Sequence, residues 1–199
     1  MQTLEGQKLI NMLNTKYIIY NPNAQALPNP FASGNAWVVN DIRWADTPNE
    51  EIDAIADTDW KHTAILHRTF AQQVGNYQVT DSIVPEITLV DYQPNKLTYH
   101  FSGVSTGSTT ADYLVVFSEI WTEKGWKMYV DGKEQPLLRA DYILRAALVP
   151  SGEHDIVMEY APKAYKVGNT IAFVCSLVMI LGLVAALVFT FKPKKKETA

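Results

Sequence analysis

An uncharged run of 22 residues, Thr170 to Phe191 (TIAFVCSLVMILGLVAALVFTF), is followed at once by Lys192, Lys194, Lys195 and Lys196. At about 1.5 Å per residue such a run makes a helix roughly 33 Å long, enough to cross a hydrocarbon core of about 30 Å. A helix buried in a soluble core carries an apolar stripe opposite a polar face. This run has no polar face, so residues 170–191 are expected to span a membrane. Whatever precedes them has to fold as a domain tethered to a bilayer.

Charge around the span predicts its direction. Four lysines follow it, whereas Lys163 and Lys166 lie close before it. Lysine and arginine near a span favour the cytoplasmic side. The tail, residues 192–199, is therefore expected inside, with Lys192, Lys194, Lys195 and Lys196 fixing the topology. Residues 1–169 are expected outside a bacterial cytoplasmic membrane. An outer domain needs an export signal, yet the opening MQTLEGQKLINMLNTKY offers no uninterrupted apolar stretch and no small-residue cleavage site after one. The expectation is that earlier spans of a larger polytopic protein supply the export.

Composition narrows the class of partner. The chain holds 17 Lys and Arg against 21 Asp and Glu; removing the four tail lysines and Glu197 leaves 13 against 20, a net charge of −7 outside the span. An acidic domain of this kind repels phosphate backbones, which argues against nucleic acid. The only cysteine, Cys175, falls within the span, so packing rather than an internal disulfide must hold the outer domain together. No asparagine is followed two positions on by Ser or Thr, so no N-glycosylation acceptor is present.

The pattern of apolar residues predicts an α+β fold: an antiparallel β-sandwich with an α/β N-terminal portion, then one transmembrane helix. Leu4, Leu9, Met12 and Leu13 have near-helical spacing, and Lys16 to Tyr20 reads as a strand. Ala36 to Ile42 is a second strand. Thr47-Pro48-Asn49-Glu50 opens a helix, with a hydroxyl cap, Pro at the first helical position and Glu at the third. Ile52, Ile55 and Ala56 form its expected apolar face, and Glu50, Glu51, Asp53 and Asp57 its solvated one. Trp60 to Leu66 returns to extended structure. From about Glu86 the chain reads as β throughout: Ile87–Val90, Leu97–Phe101, Tyr113–Phe117, Trp126–Val130, Tyr142–Val149 and Asp155–Tyr160. Asp131-Gly132 is a hairpin signal because both residues tolerate positive φ. The expected organisation is 1–85 as the α/β portion, 86–162 as the sandwich, 163–169 as a linker, 170–191 as the span and 192–199 as the tail.

Catalytic patterns are scarce. His62, His67, His100 and His154 are scattered without metal-ligand spacing, and neither a P-loop nor GxGxxG occurs. One GxSxG, Gly103 to Gly107, precedes a strand instead of a helix and reads as a connection between strands. No catalytic residue, metal or cofactor is therefore assigned. The most distinctive stretch runs from Phe117 to Trp126 (FSEIWTEKGW). An aromatic face beside a carboxylate suits a sugar, whose apolar face stacks while its hydroxyls donate to the carboxylate. Ser118, Glu119, Trp121 and Trp126 are the candidate contact surface, with core packing the competing role for Trp126. Trp37, Trp44 and Trp60 carry no spacing that favours a ligand over packing.

The segment LVVFSEIWTEKGWKMYVDGKEQPLLRADYILRAALVPSGEHDIVMEY, standing just before the span, resembles the C-terminal end of the YfhO-like family of bacterial membrane proteins. Met12 to Ile19 (MLNTKYII) is similar to that family's entry into its outer domain. These proteins resemble GT-C glycosyltransferases, which implies many membrane helices, extracytoplasmic portions and a polyprenyl-phosphate-linked sugar as donor. In that fold class the catalytic carboxylate lies in an early outer loop, so the resemblance gives this chain no catalytic residue. It implies a part in cell-envelope glycan or lipid-linked sugar transfer, positioning an acceptor or partner. The reading from another class is a free-standing, membrane-anchored carbohydrate-binding or adaptor module without catalysis.

Overall fold

A computed structural model of the chain describes residues 6–75, 77, 85–103 and 112–191. In chain order the elements are α1 (Lys8–Met12), β1 (Tyr17–Ile18), β2 (Leu27–Pro28), β3 (Ala36–Val39), β4 (Asp41–Ala45), α2 (Pro48–Asp57), β5 (Thr63–His67) and α3 (Ala71–Val74). There follow β6 (Glu86–Gln93), β7 (Lys96–Gly103), β8 (Tyr113–Ile120), β9 (Trp126–Val130), β10 (Lys133–Gln135), β11 (Leu138–Ala140), β12 (Leu144–Val149), β13 (Gly152–Tyr160) and α4 (Lys163–Phe191). The chain divides into two compact units, one ending at Tyr160 and the other beginning at Ala161. The mixed α+β class with antiparallel sheets and one C-terminal apolar helix is as the sequence predicts.

Two larger sheets build the first unit. A five-stranded sheet has the order β10-β9-β13-β7-β6 and is antiparallel throughout. A six-stranded sheet has the order β3-β8-β12-β11-β5-β4, antiparallel except for the β4–β5 pair. That parallel pair is the crossover that α2 makes possible, since parallel neighbours need a long return connection. The six-stranded sheet draws β3, β4 and β5 from before residue 86 and β8, β11 and β12 from after it.

Alternation along β8 shows how the layers stack. Leu114 and Val116 join a core with Met12, Ala54, Ile55 and Trp60 on the helix side. Tyr113, Val115 and Phe117 point the other way, into a core with Leu97, Tyr99, Phe101, Met128 and Ile156 of the five-stranded sheet. Successive side chains on a strand point to opposite faces, so a strand buried on both sides reads as the continuous apolar run seen here. Ring pairs bridge the two sheets, Tyr99 edge-to-face on Phe117 at 5.0 Å and Phe101 tilted against Tyr113 at 5.6 Å.

Several local expectations are met and some are corrected. Thr47 caps α2, its Oγ1 accepting from the Glu50 N–H at 3.2 Å, but the Glu50 carboxylate reaches back to the Asp46 N–H at 2.8 Å and not to the cap's own. The buried side of α2 is Glu51, Ala54 and Ile55, with Ile52 exposed. Glu51 is thus not on a solvated face; Arg139 reaches it from β11, Nη2 to Oε1 at 2.8 Å. The stretch Ala36 to Ile42 is two strands, because the chain breaks at Asn40, whose N–H donates to the His62 carbonyl at 2.8 Å, and β3 and β4 lie on opposite edges of their sheet. Asp131 and Gly132 take positive φ, +48° and +79°, at the β9–β10 turn. Of the GxSxG stretch, Gly103 closes β7, and the rest lies outside the described residues, as do the four tail lysines.

In the second unit α4 runs for 29 residues, seven more than the uncharged run, and none of it is buried. At about 1.5 Å per residue its length is roughly 43 Å, the thickness of a bilayer with both headgroup layers. The interval 163–169, expected as a linker, is its first two turns.

Candidate contact site at the exit end of the sheets

Antiparallel pairing brings several strand ends together. Ile120 ends β8 opposite Leu144, the first residue of β12. Trp126 begins β9 opposite Tyr160, the last of β13. The Tyr160 N–H donates to the Asn95 carbonyl in the β6–β7 turn at 2.8 Å, and the Trp121 N–H to the Ile143 carbonyl in the β11–β12 turn at 2.7 Å. The Phe117-to-Trp126 stretch therefore closes the end of the sheets at which the chain leaves for α4, with only Ala161 and Pro162 in between.

The candidate residues divide into three settings. Phe117 pairs with Arg145 and Ile120 with Leu144, so Ser118 and Glu119 are two extra residues bulged out of β8. Bulges re-aim side chains. The Ser118 hydroxyl lies 2.8 Å from the Met12 carbonyl and 2.7 Å from that of Gly34, and its N–H donates to the Asn35 carbonyl at 2.9 Å. Ser118 thus pins the end of α1 and the loop before β3 and stands apart from the other three.

Trp126 meets Arg145, which the sequence reading did not single out and whose charge Glu119 feels. Arg145 is 3% exposed and lies on the between-sheets face of β12, in line with Ala147 and Val149. Its Nε donates to the Ile120 carbonyl at 3.0 Å, Nη1 lies 3.8 Å from the Met158 Sδ, and its guanidinium sits 3.9 Å from the Trp126 ring centroid. Burial raises the Glu119 carboxyl above its ordinary range, and the Arg145 charge opposes that rise. Burial also pushes the Tyr99 phenol well up, helped by Glu119; its hydroxyl has no hydrogen-bond partner among the described residues. Tyr160 packs on Trp126 at 5.4 Å between centroids, and Gly125 permits that approach: at φ +102°, a Cβ there would fall 2.3 Å from the Tyr160 ring. Trp126 is therefore partly buried core, its face taken by a cation.

Trp121 stands in a third setting. It is half-buried in the β8–β9 loop, and the Arg139 guanidinium lies 5.9 Å from its ring and 5.9 Å from that of Tyr142. Glu51 takes one Arg139 N–H, leaving other donors of the fork between two aromatic side chains. Chemically, this patch can stack a flat apolar face and bind an oxyanion bidentately. A charge within the otherwise apolar strand LRAALV was the available signal for Arg145; Arg139 has no comparable one. Among the described residues, no three His, Cys, Asp or Glu side chains converge as a metal site.

A separate cleft of about 490 Å³ lies along the edge strands β3 and β6, floored by Trp37 and Trp60 and rimmed by Lys61 and Glu86. The Trp37 indole N–H donates to the Trp60 carbonyl at 3.1 Å and the rings meet edge to face at 5.5 Å, so both indoles are committed to packing.

Residues 78–172 match the family model described as bacterial membrane protein YfhO, a stretch that holds the exit-end site, β6 to β13 and the start of α4. No curated protein and no solved structure matches the chain.

Proposed function

From the match of residues 78–172 to the bacterial membrane protein YfhO model, we propose that this chain is an extracytoplasmic portion and a membrane span of a polytopic, glycosyltransferase-like envelope protein. Its role is to position an acceptor, or a polyprenyl-phosphate-linked sugar, beside a reaction centre formed by other parts of the parent. One observation carries this reading: Trp121, Glu119 and Arg139 lie at the end of the sheets from which the chain passes, after two residues, into α4. A sugar carried on a membrane lipid is presented at that level. There the Trp121 ring stacks on the sugar, Arg139 takes a phosphate oxygen, and Glu119 accepts from a hydroxyl. Trp126 and Ser118 hold the surface in place. The topology that fits is residues 1–169 outside and the lysine tail in the cytoplasm.

The test is a Trp121→Ala, Glu119→Ala double variant of the parent protein, followed by glycan incorporation into the envelope. We expect incorporation to fall at least about tenfold, the effect of losing ~1.4 kcal/mol of acceptor or donor binding. Unchanged incorporation, with the variant folded and at its normal level in the membrane, overturns the proposal.

A further inference from the structure

The first unit carries a third, small sheet, the ribbon of β1 and β2, which neither larger sheet continues. A two-stranded ribbon is marginal in water unless a further strand or layer covers it. This one is bare: Tyr17 is 66% exposed, Ile19 68% and Tyr20 62%. Its two edges are not equivalent. Tyr17 pairs with Pro28 and Ile18 with Leu27, and the Asn29 N–H donates to the Lys16 carbonyl at 2.8 Å. Backbone groups alternate in direction along a strand, so Lys16 and Ile18 turn theirs toward β2, while Tyr17 and Ile19 turn theirs outward. On the β2 side the outward residues are Pro28 and Pro30, which have no N–H to give. That edge is closed to another strand, and the β1 edge is open. Apart from β2, no described residue is hydrogen-bonded to the backbone of Tyr17 or Ile19.

From this open edge we infer that the ribbon is a dimerisation element, with β1 pairing antiparallel to β1 of a second copy of the chain about a two-fold axis. Charge selects this occupant. From Tyr17 to Asn40 no residue is charged, in an outer part that is otherwise acidic. Two acidic domains repel each other over most of their surfaces, and an uncharged edge is where they can approach. A two-fold interface sets a patch against itself, and an open strand suits that because it carries donors and acceptors alike. The backbone also fixes the register. Centring the axis on Ile18 sets Tyr17 opposite Ile19 of the second copy, and each such pair exchanges both its N–H and its carbonyl. Moving the axis to Tyr17 would need the Thr15 N–H, which already donates to the Ile10 carbonyl. Moving it to Ile19 would need the Asn21 carbonyl, which already accepts from the Ala24 N–H. In the Ile18 register an aromatic ring meets a β-branched side chain on one face, and Lys16 meets the Tyr20 ring on the other. The inference concerns the first unit alone and does not rest on the proposed transfer function.

The test uses the full chain in detergent. In a Cys175→Ser background, the thiol of Ile18→Cys stands opposite its own copy, with Cα atoms about 4.5 Å apart and within reach of a disulfide. Mild oxidation should convert at least about fivefold more of it to covalent dimer than of Ala24→Cys, because the turns of two antiparallel ribbons point apart. Sedimentation should find the wild-type chain dimeric. Ile19→Pro removes an outward N–H and keeps every bond to β2, whereas Ile19→Lys leaves the backbone alone and puts a charge on the edge. Each should weaken association at least about tenfold. A monomeric wild-type chain overturns the inference, and so does a dimer that survives both variants or fails to link at position 18. A fluorophore on Tyr20→Cys that shifts to the blue only when lipid is added also overturns it, since a bilayer would then cover the ribbon.

Discussion

Replacing Asp141 by Asn should stabilise the protein at high pH and leave it unchanged at low pH. Asp141 is 1% exposed at φ +49° in the β11–β12 turn; its Oδ1 accepts from the Ile65 N–H at 2.9 Å and its Oδ2 has no partner among the described residues. Burial pushes this carboxyl from the ordinary 3.8 up to about 7; the Ile65 hydrogen bond opposes the rise and the Glu51 charge adds to it. Between those two pH values the folded protein holds a proton that the unfolded chain has released. Stability from this group is thus fully present below about pH 3.8, declines as pH rises, and is gone above about pH 7. Roughly three pH units at ~1.4 kcal/mol each sets a ceiling of about 4 kcal/mol at pH 8. Asn keeps the acceptor for Ile65, tolerates left-handed backbone and cannot ionise. Asp141→Asn should then gain about 2–4 kcal/mol at pH 8, which for a chain of this size raises Tm by roughly 5–15 °C. The assay is thermal unfolding of the detergent-solubilised full chain, followed by near-ultraviolet circular dichroism from pH 4 to 8.5, wild type against variant. A gain of equal size at pH 4 and pH 8, or a loss at pH 8, refutes the reasoning.

Arg139→Ala should cost about 3–5 kcal/mol in the same unfolding assay, because it strands the Glu51 carboxylate, 1% exposed, without its partner. A second change, Glu51→Gln, should recover much of that loss. Gly125→Ala should destabilise by about 1–3 kcal/mol, since it combines φ +102° with a Cβ 2.3 Å from Tyr160; a neutral result would mean that Tyr160 leaves Trp126 freely.

Where local chemistry decided the structure, the sequence was readable. Thr47 and Pro48 had to open a helix, and Asp131-Gly132 had to turn, because few residue types satisfy those backbone positions. Tyr113 to Phe117 announced a strand buried on both faces. Long-range packing was not readable. Nothing beside Glu51 tells that β11, 88 residues later, carries the arginine that permits its burial. The break at Asn40 depends on His62 across the chain, so Ala36 to Ile42 looked continuous. At the candidate site the sequence reading grouped Ser118, Glu119, Trp121 and Trp126, which stand in different settings in the structure. Only the bulge in β8 shows that the Ser118 hydroxyl ties down α1 while its neighbour Glu119 is half-buried within the field of Arg145.

The place of β13 in its sheet bears on how the protein is made. This strand is the last of its sheet to be synthesised, yet it lies in the middle, with β9 on one side and β7 on the other. Until it arrives, the β9–β10 and β6–β7 hairpins have no common partner and expose two raw edges. The residues that follow β13 are those of α4, so the sheet can close only when the chain's most apolar helix is itself emerging from the ribosome. Completion of the outer fold and entry of the helix into the membrane are therefore nearly simultaneous events, and a chain stalled between them offers chaperones and proteases two unpaired hairpins.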